Sequence, residues 1–306
     1  MKISIVIVNW NRSEDTIECL KSLEKISYPL KSIQIILVDN NSDSSDKDKI
    51  KKYFTKSKFK INNLFIENVK NYGFAAGNNI GIKAAIDKNS QYVLLINNDT
   101  YVKSDFLEKL ESVFKNNQNV AAVSPKIYFA KGFEYHKKYK ESELSKVIWY
   151  AGGEIDWKNV YANNVDVDKV DTYQNDENRE TEFATGACVL YSTKAILNTG
   201  FFDENYFMYF EDTDLSVRFK KNGWKIMFCP KSIIWHKVAQ SSGIGSGLND
   251  YFLTRNRIIF AMKYANFRAK FAIFREALKL IFIGRKWQRI GVMDYFFGKN
   301  GRGSWI

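Results

Sequence analysis

The chain has 306 residues, with 46 Lys and Arg against 34 Asp and Glu and a formal charge of +12 at pH 7. Hydrophobic residues make up 45% and charged residues 26%, which excludes a mainly disordered chain and supplies apolar material for a full core. With 3 Pro and 17 Gly it is neither collagenous nor a Pro-rich linker, and its 3 Cys, widely spaced, form no disulfide ladder and point to a reducing compartment.

Residues 3–8 are a short, β-branched apolar run without a basic start or a small-residue cleavage site, and Asn9, Asn11 and Arg12 cut it off. A strand is predicted, not a signal peptide. Similar runs stand at 33–38 and 92–96. Continuous rather than alternating apolar runs fit strands buried on both faces of a parallel sheet. Between them, Ile17, Leu20 and Leu23 fit one helix, and 75–87 fits another with Ile80, Ala84 and Ala85 on one side. Residues 104–114 fit a third, with Leu107, Leu110 and Phe114 in register. This alternation predicts an α/β domain. Residues 131–182, rich in Lys, Asp, Asn and Tyr, read as a variable insertion of short strands and loops. Residues 192–198 predict a short helix before Gly200, and 212–222 a helix stopped by Gly223. No stretch is apolar for the ~18 residues of a membrane span.

The charge is concentrated at the end. Residues 255–306 hold 12 Lys and Arg against Glu276 and Asp294, so the rest of the chain is nearly neutral. Phe267, Phe271, Phe274, Leu278 and Ile281 recur there at helical spacing, with Arg268, Arg275 and Lys279 off that line. The stripe either packs on the main domain or lies in an anionic membrane interface.

Ligands of open parallel sheets bind beyond the carboxyl ends of the strands. There the sequence delivers Asn9-Trp10-Asn11, Asp39-Asn40-Asn41-Ser42 and Asn97-Asn98-Asp99-Thr100. Asn and Asp also make ordinary turns, but three such clusters on one edge suggest a polar crevice. Asn71 to Asn79, with Gly73, Phe74, Gly77 and Asn78, precedes a helix, where small residues let backbone N–H groups approach an anion. Neither GxGxxG nor GxxxxGK[ST] occurs, which weakens hydride-transfer and P-loop readings. Asp99 suits a hard divalent cation shared with substrate phosphates, and His236, after another apolar run, could be a second ligand. His136 reads as a surface residue. Glu211, Asp212 and Asp214 follow an aromatic run and open a helix; one acid suffices as a cap, and a carboxylate in such a cleft can act as general base.

Taken in order, Asn9-Trp10-Asn11, Val38-Asp39-Asn40-Asn41-Ser42, Asn71-x-Gly73-Phe74-Ala75-x-Gly77-x-Asn79, Asn97-Asn98-Asp99, Thr185-Gly186-Ala187-Cys188 and Glu211-Asp212-x-Asp214 resemble glycosyltransferase family 2, over about residues 1–260. The nearest subgroup is the rhamnosyltransferase-like enzymes of bacterial surface-polysaccharide assembly. The resemblance implies a GT-A fold, a mostly parallel Rossmann-like sheet flanked by helices. It implies a catalytic domain over 1–240, with 131–182 on its acceptor side, and a basic helical extension over 241–306. It further implies that Asp39 reads the nucleotide base, that Asn9 and Asn11 line the nucleoside pocket, and that the Asn71–Asn79 segment follows the ribose and diphosphate. Asn97, Asn98 and Asp99 match the DXD metal motif, with Asn in place of the first Asp, and His236 matches a His that completes the site in some relatives. Mg²⁺ or Mn²⁺ would be the metal. Asp212 matches the catalytic base, flanked by Glu211 and Asp214. Thr185, Gly186 and Ala187 would sit near the transferred sugar, and Arg255 would reach the diphosphate or the acceptor.

The implied reaction is inverting transfer from a nucleotide-diphospho-sugar, dTDP-L-rhamnose or a UDP-sugar, to a hydroxyl of a lipid-linked or growing glycan. The expected location is the inner face of the cell membrane, held by the basic tail. The contrasting readings are a nucleic-acid-binding protein, which leaves the acids at 211–214 unexplained, and a glycan-binding relative without turnover.

Overall fold

In the computed structural model, which describes residues 2–60, 62–136, 138–238 and 246–305, Ile3–Asn9 forms β1 with nearly every residue buried. There follow α1 (Ser13–Leu23), β2 (Ile33–Asp39), α2 (Ser44–Phe54), β3 (Asn63–Glu67), α3 (Gly73–Asp87), β4 (Tyr92–Ile96), β5 (Thr100–Val102) and α4 (Phe106–Asn116). Next come β6 (Val120–Phe129), β7 (Ile148–Tyr150), β8 (Gly153–Asp156), β9 (Tyr161–Asn164), β10 (Arg179–Glu180), β11 (Cys188–Ser192), α5 (Thr193–Thr199), α6 (Glu211–Lys221) and β12 (Lys225–His236). Three helices close the chain, α7 (Gly247–Tyr264), α8 (Phe267–Ile283) and α9 (Lys286–Phe296).

The main sheet runs β10-β12-β6-β11-β4-β1-β2-β3. Strands β4, β1, β2 and β3 are mutually parallel, as are β6 and β12, while β11 lies antiparallel between the two sets. The apolar runs are continuous because both sheet faces are covered. Ile5, Ile7, Ile35 and Leu37 meet Leu20, Leu23 and Leu107 on one side. Val6, Ile36 and Val38 meet Ala75, Ile82 and Ala85 on the other. The short β5 pairs with the end of β12, with His236 opposite Thr100. That register carries His236 to the neighbourhood of Asp99.

Residues 131–182 hold the short strands β7 to β10 and lean on the C-terminal helices. Trp157 stacks on Phe260 with ring centroids 6.0 Å apart, and Arg257 donates to both the Asn159 carbonyl and Glu276. The expected boundary at 240/241 lies outside the described residues.

Most of the apolar stripe of α8 does not pack on the domain, although Ile281 packs against the core. The buried side is Ala269, Ile273 and Ala277, while Phe267, Phe271, Phe274 and Leu278 are exposed. Close helix approach selects small residues for the inner face. At Gly291 of α9, an added Cβ would stand 2.7 Å from the Tyr251 carbonyl oxygen of α7. Among the described residues, no helix is long and apolar enough to cross a membrane.

Candidate active site

The strand ends form one rim, held together by buried polar groups. Asn9 is its centre. Its amide nitrogen lies 3.0 Å from Asp39 Oδ1, 3.0 Å from Ser42 Oγ and 2.9 Å from Asp46 Oδ2. Its oxygen accepts from Thr16 at 2.8 Å, and Asn98 donates to Thr16 at 3.0 Å. Asp39 is fully buried, with Asn9 on one carboxylate oxygen and the Ser42 N–H on the other at 2.9 Å. Both residues therefore brace the rim from below. Asn11, at φ 52°, is the exposed member, and its oxygen accepts from the Asp43 N–H at 2.8 Å.

The Asn71–Asn79 segment was expected to lie along a diphosphate. Its polar groups are largely engaged with protein instead. The Gly73 N–H donates to Asn71 Oδ1 at 2.8 Å, and the Ala75 N–H to the Phe207 carbonyl at 3.1 Å, so two of the N–H groups at the start of α3 already have protein partners. Asn78 is buried inside α3 and donates to the Phe74 carbonyl. Gly77 faces the sheet, where a Cβ would come within 3.1 Å of Asn40 and Val8. Gly73, at φ +86°, leaves room for Phe207, whose ring a Cβ would meet at 2.5 Å. Asn40, given no separate role in the sequence reading, ties this segment to β2 by donating to the Gly73 carbonyl at 2.9 Å and accepting from Asn68 at 2.8 Å. The clustering of Asn after β2 was the available signal.

From the rim a continuous set of contacts leads to the acids. The Asn97 N–H donates to the Ala187 carbonyl at 2.9 Å, and the Gly186 N–H donates to Asp212 Oδ2 at 2.9 Å. Thr185 accepts from the Ala187 N–H at 3.3 Å, and the Phe74 ring lies against Gly186. Asp212 also accepts from the N–H of Thr213 at 2.6 Å and from its hydroxyl at 3.1 Å. Burial raises the Asp212 carboxyl above its ordinary range, against the pull of these donors. Glu211 is buried, one of its oxygens has no hydrogen-bond partner, and burial together with Asp212 pushes its carboxyl well up.

Two expected site residues lie elsewhere. Asp214 is wholly buried and bonded to Arg218 at 2.8 Å, Tyr264 at 2.8 Å and Tyr206 at 3.2 Å, so it joins α6 to α7 instead of facing a sugar. Arg255 is also wholly buried. Its guanidinium donates to the carbonyls of Tyr206 at 3.1 Å and Asn205 at 3.3 Å, and so does not reach a diphosphate. Its neighbour Asn256 donates to the carbonyls of Tyr206 at 2.9 Å, Met208 at 2.7 Å and Tyr209 at 2.9 Å. That grip matters because Phe207, Tyr209 and Phe210 all hold positive φ immediately before the acids.

Asp99 and His236 do meet, with Oδ1 and Nε2 3.0 Å apart. Burial pushes the Asp99 carboxyl up, but the charge and hydrogen bond of His236 outweigh it and hold the carboxyl below its ordinary range. Both residues are buried, and among the described residues His236 Nδ1 lacks a hydrogen-bond partner. A divalent cation can replace the proton between these two atoms and would take Asp99 Oδ1 and His236 Nε2 as ligands. Cis donors about 2.1 Å from a small divalent ion stand about 3.0 Å apart, so the pair fits such an ion. Among the described residues, no group of three or more His, Cys, Asp or Glu could hold a metal, which leaves further positions to water or phosphate oxygens. Asn97 is half-buried at the mouth of this turn. His136 lies at the surface beside Asp168, 3.1 Å away.

Comparison with known proteins finds similar chains and a shared fold. A hexosyltransferase of low-salt glycan biosynthesis from Haloferax volcanii is 22% identical over 84% of this chain and 74% of its own. A dTDP-rhamnosyl transferase of Shigella flexneri is 22% identical over 85% of this chain and 80% of its own. The structure of GalNAc-T7 with UDP, GalNAc and Mn²⁺ superposes with a TM-score of 0.65 at 18% identity, over 90% of this chain and 54% of that one, and shares the GT-A fold. The model of the family described as "Glycosyltransferase like family 2" matches residues 2–259, and the chain belongs to that family of nucleotide-sugar transferases.

Proposed function

We propose that the chain transfers a sugar from a nucleotide-diphospho-sugar to an acceptor hydroxyl with inversion, Asp212 serving as general base. The hydroxyl oxygen attacks the anomeric carbon as its proton passes to Asp212, and the bond from that carbon to the diphosphate oxygen breaks. The Gly186 N–H and Thr213 fix the carboxylate, so its remaining lone pairs are held in one direction. A divalent ion on Asp99 and His236, Mg²⁺ or Mn²⁺, would supply charge that stabilises the departing diphosphate. Asn11 and the exposed edge of the β1–β2 rim position the nucleoside, with Asn9 and Asp39 beneath them.

The reading rests on one observation. Asp212, whose carboxyl is raised by burial, is linked to the Asn97–Asp99 turn through Gly186 and Ala187, and this link supports the reading of a base that works with a metal held at that turn. Asp212→Asn tests it. Turnover should fall by ~10²–10⁴-fold while donor affinity, read by calorimetry, survives. Near-full activity in that variant would overturn the base assignment.

The donor we favour is dTDP-L-rhamnose, on the resemblance and on the name of the Shigella relative; a UDP-sugar is the alternative, on the UDP in the GalNAc-T7 structure. A thermal-shift screen of nucleotide sugars with and without metal separates them, because a ligand of the folded form raises the melting temperature. The acceptor in this reading is a lipid-linked or growing glycan at the inner face of the cell membrane.

A further inference from the structure

Most of the aromatic side of α8 stays exposed among the described residues. Phe267, Phe271 and Phe282 are 83%, 60% and 76% exposed. Phe274, Leu278 and Ile283 are exposed on the same helix. Phe296 of α9 meets Phe274 at 5.8 Å between ring centroids, and Phe297 follows it, so the patch crosses from one helix to the next. At 100° per residue, Phe267, Phe271, Phe274, Leu278 and Phe282 share one stripe, and Arg268, Arg275 and Lys279 run along its flank. A contiguous exposed apolar patch rimmed by charge marks an interaction surface.

We propose that this face is a docking surface for an anionic lipid bilayer. Aromatic side chains enter the boundary between headgroups and acyl chains, and the flanking cations meet lipid phosphates. The charge decides the occupant. The segment from 255 onward carries 12 Lys and Arg and only two acids; Arg255 is buried and Arg257, Lys263, Arg285 and Lys299 pair with acids, so the cations on the flank of α8, Arg268, Arg275 and Lys279, carry the argument. Of the two acids, Glu276 is paired with Arg257 and Asp294 is buried, so neither opposes an anionic surface. A second copy of the chain would bring the same cations against them.

This deepens the functional reading and rests on it, because the docking hairpin is fastened to the base helix. Tyr264, three residues before Phe267, donates to Asp214 at 2.8 Å, two residues after the proposed base. Lys263 pairs with Asp203 and reaches Asp214 at 3.3 Å. A surface that seats α8 on lipid therefore sets where Asp212 stands relative to a lipid-linked acceptor.

The test uses the chain as it is, with vesicles of equal parts phosphatidylglycerol and phosphatidylcholine, and with phosphatidylcholine alone. Wild type should float with the anionic vesicles and much less with the neutral ones. Phe271→Ser with Phe282→Ser should weaken anionic binding by about tenfold or more. Arg268→Glu with Arg275→Glu should weaken it by about tenfold and remove the difference between vesicle types. Absence of wild-type flotation, or equal flotation of wild type and the Phe variant, overturns the proposal. A wild-type dimer that the Phe variant dissolves, without vesicle binding, assigns the face to a second copy and also overturns it. The donor-induced thermal shift, measured on the same samples, should be unchanged by either variant. If no donor shifts even wild type, the functional reading fails while the vesicle result stands.

Discussion

At the ends of β1, β2 and β4, polar side chains are buried and bonded to one another; on α8, phenylalanines stand in water. Asn9, Asp39 and Asn98 have almost no exposed surface, whereas Phe267 and Phe282 are mostly exposed. Buried polar groups and contiguous exposed apolar groups are the two departures from ordinary burial that carry information. In the first region, folding energy is spent holding a constellation still. In the second, apolar surface is withheld from the core. The contrast can be broken by substitutions that would look harmless or drastic by hydropathy alone.

The largest effect is expected at Asn9. Asn9→Leu adds an apolar side chain to a buried site, yet it deprives Asp39, Ser42, Asp46 and Thr16 of their shared partner. Buried polar groups left unpaired cost about 1–3 kcal/mol each, so a loss of about 3 kcal/mol or more is expected in urea unfolding. A loss under about 1 kcal/mol would mean that the rim is not the brace described. Asn256→Ala comes next, at about 1–3 kcal/mol, since the Met208 and Tyr209 carbonyls lose its amide and the Tyr206 carbonyl is left with Arg255. It should also lower kcat more than it changes donor affinity, because the released loop leads into Asp212. Unchanged kcat would make Asn256 a fold residue without influence on the base.

A smaller effect concerns pH. Burial raises the Asp212 carboxyl, and the base works only when ionised. Activity should therefore fall on acidification through a limb lying above the ordinary aspartate value of about 3.9. The linked stability has its own sign. A folded-state pKa raised above the unfolded one favours the folded form below the unfolded value, and that contribution disappears as pH rises through the folded value. An acid limb at or below the ordinary value would point to a base less buried than Asp212.

The same contrast explains what the sequence disclosed. β1, β2 and β4 were legible because burial on both faces leaves an uninterrupted apolar run. β6 was not recognised. Ser124, Pro125 and Lys126 interrupt it, and Lys126 is buried only because Asp171 pairs with it at 2.7 Å from a distant loop. α2 escaped because Ile50 and Phe54 are its only buried residues. At the site, residue types and order were legible, but depth was not. Arg255 has the chemistry to bind phosphate, yet α7 seats it against the 205–206 carbonyls. Asp214 has the chemistry of its neighbour Asp212, yet its position on α6 turns it toward Tyr264 and Arg218. The meeting of Asp99 and His236 depends on the β5–β12 register, a tertiary fact that no local pattern encodes.

The smallest effect belongs to the hairpin. Phe271→Ser removes a large apolar side chain, and in a core such a change would cost several kcal/mol. Here the ring is 60% exposed, and the helix packs through Ala269, Ile273 and Ala277 on its other side. The expected change in unfolding free energy is within about 0.5 kcal/mol, with the melting temperature nearly unmoved. Ala277→Phe on the opposite side should do the reverse, costing about 1–3 kcal/mol by overpacking against the neighbouring helices. If Phe271→Ser proves as damaging as Ala277→Phe, the aromatic stripe packs inward in solution. The α8 face would then belong to the core, and its small-residue side would be left to face water.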